Sequence, residues 1–177
     1  KPHRDPELAY IEFRDVVKRT IKRGGKVVVP AFAVGRTQEL VFSLNRMISE
    51  GELPRMPVFV DSPLAVGVTG VFQKHPELFD KETYEFIREA RHPALNFKGL
   101  VYVESREQSK QINNYAPPAI IISASGMADN GRVVHHLMHH VGDPRSTVVI
   151  VGWQAPGTTG RALIDGAKTI NLYGEQY

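Results

Sequence analysis

Short apolar runs alternate along the chain with stretches in which apolar residues recur every three or four positions. The runs have the length of strands, and the periodic stretches have the spacing of helices with one buried face. We predict strands at residues 26–30, 57–61, 100–103, 119–123, 147–151 and 169–172. We predict helices at about 7–23, 36–50, 64–74, 81–91, 105–114, 130–141 and 162–165. This alternation predicts an α/β fold, a Rossmann-like three-layer sandwich with a mostly parallel sheet of about six strands and helices on both faces.

The run Ala119–Ser123 stands out because it is unbroken and ends directly in small and polar residues. A strand buried on both faces has this continuous apolar character, and ligands of open α/β sheets gather where such strands end. The hydroxyls of Ser123 and Ser125 and the backbone N–H groups near Gly126 are candidate contacts for an anion.

Four predicted strands end in comparable loops, at residues 32–36, 61–63, 123–126 and 152–161. The carboxyl ends of parallel strands share one edge, so we expect these loops to converge. They offer two arginines, several hydroxyl groups, the Gln154 amide and helix N-termini, which are the parts of an anion-binding surface. Two simpler readings stay open: Arg36 and Arg161 pair with nearby carboxylates such as Glu39 and Asp165, and Asp61 or Ser62 caps the next helix.

Four histidines, at positions 135, 136, 139 and 140, form two pairs with helical i, i+4 spacing. That spacing serves zinc in the His-Glu-x-x-His motif, where a third ligand comes from elsewhere. No acidic residue lies between these histidines, and their helix leads away from the loop edge. We therefore expect them to pack at or near the surface and to bind no metal.

The amino-acid composition is that of a globular domain and excludes several kinds of site. The 177 residues are 42% hydrophobic and 23% charged with a net charge of +3, values of an ordinary globular domain that admit a polyanion partner without requiring one. The chain has no cysteine, which excludes disulfides and thiolate metal sites, fits a reducing compartment and suggests a cytoplasmic location. No apolar run is long enough to span a membrane, so we expect no membrane association.

Several familiar motifs are missing from the sequence. They are Gly-x-Gly-x-x-Gly after the first strand, Gly-x-x-x-x-Gly-Lys-[Ser/Thr], Gly-x-Ser-x-Gly and His-x-His-x-Asp-His. Their absence disfavours a dinucleotide dehydrogenase, a P-loop ATPase and a serine hydrolase.

Four segments, in order and at plausible spacing, resemble one known family. They are residues 30–40 (Pro-Ala-Phe-Ala-Val-Gly-Arg-Thr-Gln-Glu-Leu), 61–65 (Asp-Ser-Pro-Leu-Ala), 123–132 (Ser-Ala-Ser-Gly-Met-Ala-Asp-Asn-Gly-Arg) and 152–158 (Gly-Trp-Gln-Ala-Pro-Gly-Thr). Together they resemble the β-CASP cassette of metallo-β-lactamase-fold ribonucleases, the group that contains the polyadenylation-factor endonuclease and its bacterial and archaeal relatives. We therefore expect residues 1–177 to be a single β-CASP domain excised from a longer protein of that fold.

The resemblance implies a function in RNA processing as part of a hydrolase. In the family, RNA is cleaved between this cassette and the metallo-β-lactamase domain of the same polypeptide, where two zinc ions held mostly by His-x-His-x-Asp-His generate the attacking hydroxide. Because this sequence lacks that cluster, we expect no metal ligand, cofactor or catalytic residue in this chain, and no nuclease activity from the chain alone. The resemblance also allows a homodimer.

The same resemblance implies roles for particular residues. Ser123, Ser125 and Gly126 would lie nearest the scissile phosphate. The residues supporting the cleft or the RNA backbone would be Arg36, Gln154, Thr158 and Arg161. Contacts of this kind position a strand without reading its sequence. The alternative is a free-standing Rossmann-like module that binds a nucleotide or a small anion.

Overall fold

The computed structural model describes residues 5–79, 81, 83–85 and 94–177. The helices are α1 (Pro6–Lys22), α2 (Arg36–Ser49), α3 (Pro63–Lys74), α4 (Arg106–Asn114), α5 (Arg132–His140) and α6 (Thr159–Ile164), with one 3₁₀ turn at Pro76–Leu78. The strands are β1 (Lys26–Pro30), β2 (Val58–Asp61), β3 (Leu100–Tyr102), β4 (Ala119–Ser123), β5 (Thr147–Val148), β6 (Asn171–Leu172) and β7 (Glu175–Gln176).

Strands β1 to β5 form one parallel sheet in the order β3-β2-β4-β1-β5. The central strand, β4, lies between β1 and β2, with Ser123 in register with both Pro30 and Asp61. The carboxyl ends of these three strands are therefore level with one another, at one edge of the sheet. The predicted fold class is confirmed.

Alternate residues of the strands serve two separate cores, one on each face of the sheet. On one face, Val29, Val60 and Ile122 pack with side chains from α1, α2 and α3. On the other face, Val28 and Ile121 pack with side chains from α4, α5 and α6. Because both faces are covered, β1, β2 and β4 are buried along their whole length, which explains their unbroken apolar sequences.

Local sequence signals begin two of the helices near the sheet edge. Ser62 caps α3 by accepting a hydrogen bond from the backbone N–H of Ala65, and Pro63 occupies the first helical position. Ser105 and Gln108 form a reciprocal capping box at the start of α4. Of the two caps considered for α3, Ser62 is therefore the correct one.

The last predicted strand lies outside the parallel sheet. Asn171–Leu172 pairs antiparallel with Glu175–Gln176 across Tyr173 and Gly174, whose φ angles are 52° and 91°. Two consecutive residues with positive φ form a tight hairpin turn, so the chain folds back on itself instead of extending the sheet.

Helix α6 begins at Thr159, three residues earlier than predicted. Most of the helix predicted at residues 81–91 lies outside the described residues. Among the described residues, no helix has both the length and the apolar character needed to cross a bilayer.

Candidate functional site at the carboxyl edge of the sheet

A cleft of about 300 Å³ opens at the carboxyl edge of the sheet, where three of the four predicted loops meet. It is lined by the end of β1 and residues from the loops that follow β1, β4 and β5: Pro30, Ala31, Phe32, Arg36, Gly126, Met127, Val151, Gly152 and Trp153. No residue of the fourth loop, 61–63, is among those that line the cleft, and the Asp61 side chain is fully buried.

The loop after β4 presents unused hydrogen-bond donors. Within the described part of the chain, the backbone N–H groups of Gly126 and Met127 and the hydroxyl of Ser125 make no hydrogen bond. Gly126 and Met127 both line the cleft. Adjacent unpaired N–H groups are a common means of binding an anion, so this loop retains the chemistry expected from its sequence.

Gly126 is required by a close approach between two loops. A Cβ atom at this position would lie 2.8 Å from Cδ2 and 2.9 Å from Cε2 of the Phe32 ring. Real Cβ atoms do not approach a ring carbon so closely, so any larger residue at position 126 would displace the Phe32 ring from the lining of the cleft.

Gln154 joins the loop after β4 to the loop after β5. It is buried, and its Nε2 donates to the carbonyl oxygens of Gly126 (3.0 Å), Gly152 (3.2 Å) and Trp153 (3.1 Å). Its function in this structure is thus to hold two walls of the cleft together. Gly160 lies against the same amide, since a Cβ there would be 1.8 Å from Gln154 Oε1.

The two predicted arginines are both exposed and both paired. Arg36, the first residue of α2, forms an ion pair with Glu39 and lines the cleft. Arg161 Nε lies 2.9 Å from Asp165 Oδ2, and Arg161 does not line the cleft. Exposed ion pairs contribute about 1 kcal/mol or less, so both guanidinium groups are available to exchange their partner for a phosphate.

Thr158 and Ser123 satisfy local hydrogen bonds. Thr158 caps α6 through the Arg161 N–H and donates its hydroxyl to the Ala155 carbonyl at 2.7 Å. The Ser123 hydroxyl is buried and donates to the Asp61 carbonyl at 2.8 Å. Of the seven predicted site residues, Arg36 and Gly126 line the cleft directly and Ser125 adjoins it. Gln154 and Thr158 support loops near the cleft, Ser123 lies inside the fold, and Arg161 is exposed outside the cleft.

The structure contains a buried polar network beneath the loop after β4 that the sequence did not predict. The Asp61 carboxylate accepts hydrogen bonds from Ser109 Oγ at 2.5 Å, His136 Nε2 at 2.7 Å and Arg132 Nη1 at 2.7 Å. Arg132 also donates to the carbonyl oxygens of Val103 and Glu104. Because Arg132 begins α5 directly after the loop, the network anchors one end of the candidate site.

The Asp61 carboxylate stays ionised in spite of its burial. Burial raises the pKa of a carboxylic acid, but here the hydrogen bonds from His136, Ser109 and Arg132 outweigh that effect and hold the pKa of Asp61 below its ordinary value. Asp61 is thus a structural anion enclosed by donors and has no access to the cleft.

Two of the four histidines, His136 and His140, lie deeper than the surface or near-surface packing expected from the sequence. His136 is fully buried between Asp61 and Asn113, whose Oδ1 lies 2.8 Å from Nδ1 of the ring. His140 is nearly buried, and burial together with the neighbouring charge of Lys26 lowers the pKa of its ring to about 4. Among the described residues, no group of three or more His, Cys, Asp or Glu side chains could hold a metal ion.

Two exposed aromatic residues, Phe32 and Trp153, also line the cleft and were not among the predicted site residues. A sequence signal for them existed, since each is a large aromatic residue within a loop that follows a buried strand. That signal alone does not distinguish an exposed ring from one that folds back onto the core.

Comparison with known proteins links these features to one family. A model of the Beta-Casp domain matches residues 37–163. The chain is 34% identical over 177 residues to Ribonuclease TTHA0252 of Thermus thermophilus, a match covering 99% of this chain and 40% of that protein.

Two further relatives come from archaea. The transcription termination factor FttA of Methanosarcina mazei is 38% identical over 163 residues, covering 90% of this chain and 25% of that protein. An RNase J-like protein of Methanocaldococcus jannaschii is 31% identical over 157 residues, covering 89% of this chain and 35% of that protein. The chain thus spans well under half the length of each of these relatives. The extent of the family match and the agreement of these relatives establish that this chain belongs to the β-CASP domain family.

Proposed function

We propose that this chain is the RNA-binding cassette of a zinc-dependent ribonuclease and that residues 1–177 form one β-CASP domain within a longer protein. The observation that carries this proposal is the group of unpaired donors on the loop after β4, at the same cleft as Arg36. A cation beside adjacent N–H groups suits a phosphate, and relatives named as ribonucleases match almost the whole chain.

In this proposal the residues in and around the cleft have different roles. Ser125, Gly126 and Met127 donate hydrogen bonds to a phosphate of the RNA, and Arg36 exchanges Glu39 for a phosphate oxygen. Gln154 and Thr158 keep the surrounding loops in place. Ser123 acts from inside the fold by fixing the end of β4, and Arg161 meets the backbone of the RNA farther along the edge.

The zinc ions belong to a different part of the protein in this proposal. The donor set that zinc would need does not occur among the described residues, because His136 is already bound to Asp61 and Asn113 and no cluster of three candidate ligands is formed. We assign the metals and the hydrolytic step to a metallo-β-lactamase domain of the same polypeptide. The 177-residue chain would bind RNA without cleaving it.

The proposed phosphate contacts predict a salt-dependent affinity that falls when the cleft arginines are removed. Binding of single-stranded RNA to the 177-residue chain is measured over a range of salt concentrations for the wild type, Arg36→Ala and Arg161→Ala. Each substitution should weaken binding and reduce the slope of log K against log salt by about one or less. In the complete protein the same substitutions should slow RNA cleavage.

Arg145→Ala is the matched control. Arg145 is exposed and ion-paired like the other two arginines, but it precedes β5 and so lies at the amino edge of the sheet. Unchanged RNA affinity and salt slope in both Arg36→Ala and Arg161→Ala would refute the proposed phosphate contacts. Metal-dependent cleavage of labelled RNA by the chain alone, incubated with zinc, would refute the assignment of hydrolysis to another domain.

A further inference from the structure

The cleft has an aromatic rim that the phosphate contacts do not explain. Trp153 is 71% exposed and Phe32 is 49% exposed, and they reach the cleft from different loops. Val34, in the same loop as Phe32, is also exposed. Large apolar side chains gain free energy from burial, so several of them beside one cleft indicate a surface that contacts a ligand.

The backbone holds both aromatic residues at the cleft. Gln154 Nε2 donates to the carbonyl oxygens of both Trp153 and Gly126, and this ties the loop after β5 to the loop after β4. The Phe32 carbonyl accepts both the N–H and the hydroxyl of Thr37, at 3.3 and 2.8 Å. The Phe32 ring meanwhile lies against Gly126. The backbone positions of both residues are therefore fixed at the cleft, and fixing them before binding lowers the entropic cost of binding.

The chemistry around the rim narrows the choice of ligand. Among the described residues that line the cleft, Arg36 is the single charged one, and it is cationic. The cleft volume of about 300 Å³ is at the lower end of the range for small-molecule pockets, which suits one planar group better than a helix or a loop. A planar apolar group attached to an anion matches these features, and a nucleotide in an RNA strand is such a group.

We infer that Trp153 and Phe32 form a stacking site for an unpaired nucleobase of single-stranded RNA, next to the phosphate held by Arg36 and the loop after β4. This inference rests on the proposed function and adds a base-binding element that requires the substrate to be single-stranded. Stacking on an aromatic ring tolerates every base, since each has a π face, whereas bases within an RNA duplex are already stacked and paired.

The single tryptophan of the chain makes the inference measurable. The wild-type chain is titrated with three ligands while its tryptophan fluorescence is recorded. They are a short single-stranded RNA, a double-stranded RNA of the same sequence, and an abasic sugar-phosphate strand of equal length. The single strand should quench the fluorescence, and the duplex and the abasic strand should quench it far less. All three ligands carry phosphates, so this comparison isolates the base.

Substitutions at Trp153 then separate stacking from general apolar contact. Trp153→Ala should weaken binding of the single strand by about tenfold and leave the affinity for the abasic strand unchanged. Trp153→Tyr keeps a π face and should retain most of the affinity. Trp153→Leu keeps an apolar side chain without a π face, and it should behave like Trp153→Ala. Trp153 is mostly exposed, so these variants should fold, which circular dichroism checks.

Several results would count against the stacking site. If Trp153→Leu binds single-stranded RNA as well as the wild type, or if Trp153→Ala weakens the abasic and base-bearing strands equally, the ring does not stack on a base. A wild-type chain that binds RNA in an Arg36-dependent way without fluorescence quenching would refute the stacking site and leave the proposed phosphate contacts intact. A wild-type chain that binds none of the three ligands would refute both.

Discussion

Arg132 Nη1 lies 2.7 Å from Asp61 Oδ1, and this ion pair joins the first residue of α5 to the last residue of β2. Residues 124–131, the loop that carries the unpaired donors, connect β4 to that same arginine. Gly131 at the end of this loop has a φ of 80°, and a Cβ there would lie 2.5 Å from the Ala124 carbonyl oxygen. The close contact between Gly131 and Ala124 thus brings the two ends of the loop together. The buried Asp61 carboxylate holds Arg132, the residue that follows the loop.

Removing Arg132 should destabilise the protein strongly. Arg132→Ala would leave the fully buried Asp61 carboxylate with only His136 and Ser109 as partners, and unpairing a buried ion is among the most costly single changes. We expect the free energy of unfolding to fall by about 3 kcal/mol, measured by urea denaturation.

The matched control for this change is an exposed ion pair elsewhere in the chain. Arg145 Nε lies 3.1 Å from Asp143 Oδ1, with most of the arginine side chain in solvent. Arg145→Ala should reduce stability far less than Arg132→Ala, because water screens an exposed ion pair. If the two substitutions lower the free energy of unfolding equally, the Asp61 network stabilises the protein no more than a surface ion pair does.

Gln154→Leu should loosen the cleft. The substitution preserves much of the side-chain volume but removes the donor shared by the carbonyl oxygens of Gly126, Gly152 and Trp153. We expect a loss of about 2 kcal/mol in the free energy of unfolding, because acceptors that had a buried partner are left without it. We also expect a change in Trp153 fluorescence, since its carbonyl is one of the three. Wild-type stability together with an unchanged emission spectrum would contradict the bridging role of Gln154.

Gly160→Ala should disturb the same amide from the other side. An added Cβ would lie 1.8 Å from Gln154 Oε1 and 3.0 Å from the Met127 carbonyl oxygen, so the glutamine must move. We expect destabilisation of about 2 kcal/mol by thermal or urea denaturation. Gly152→Ala is the control, because a Cβ at Gly152 meets nothing within 4 Å and the change should stay within about 0.5 kcal/mol. A Gly160→Ala variant as stable as the control would show that Gln154 has room to rearrange.

Local patterns in the sequence predicted most of the fold, because strands buried on both faces and capped helices leave short-range signals. The run Lys26–Pro30 and the Ser62-Pro63 helix start are both where the sequence indicated. The polar network was not predictable in this way. Asp61 meets Ser109 and His136 across 48 and 75 residues of sequence, and no periodicity within one element indicates such a contact.

The candidate site shows the same division between local and long-range information. The convergence of loops followed from parallel topology, since strand ends share an edge. Which side chains face the cleft depended on packing between loops. Gly126 is fixed by its contact with Phe32, and the Gln154 amide is held inside by three carbonyl oxygens, contacts that the sequence could not indicate.

His140 should make the stability of the protein depend on pH in a mildly acidic range. Its ring is nearly buried on α5, close to Lys26, His136, His139 and Asp143, and its pKa is lowered from 6.5 to about 4. Between these values the unfolded chain binds a proton at His140 that the folded chain does not, so acid favours unfolding. The free energy of unfolding should therefore fall by roughly 2–3 kcal/mol as the pH is lowered from 6.5 to 4.

His140→Leu tests this dependence, because leucine fills the site without a titrating group and without the unpaired Nε2 of the native ring. Its stability, measured by urea denaturation at several pH values, should change much less across the same range. The stabilisation from ionised Asp61 is lost only at lower pH, since the pKa of its carboxylate lies below the ordinary value of 3.8. His135→Gln, on the exposed side of the same helix, is the matched control and should follow the wild-type curve. If His140→Leu and the wild type lose stability in parallel between pH 6.5 and 4, the proton uptake arises elsewhere and the burial of His140 is not its cause.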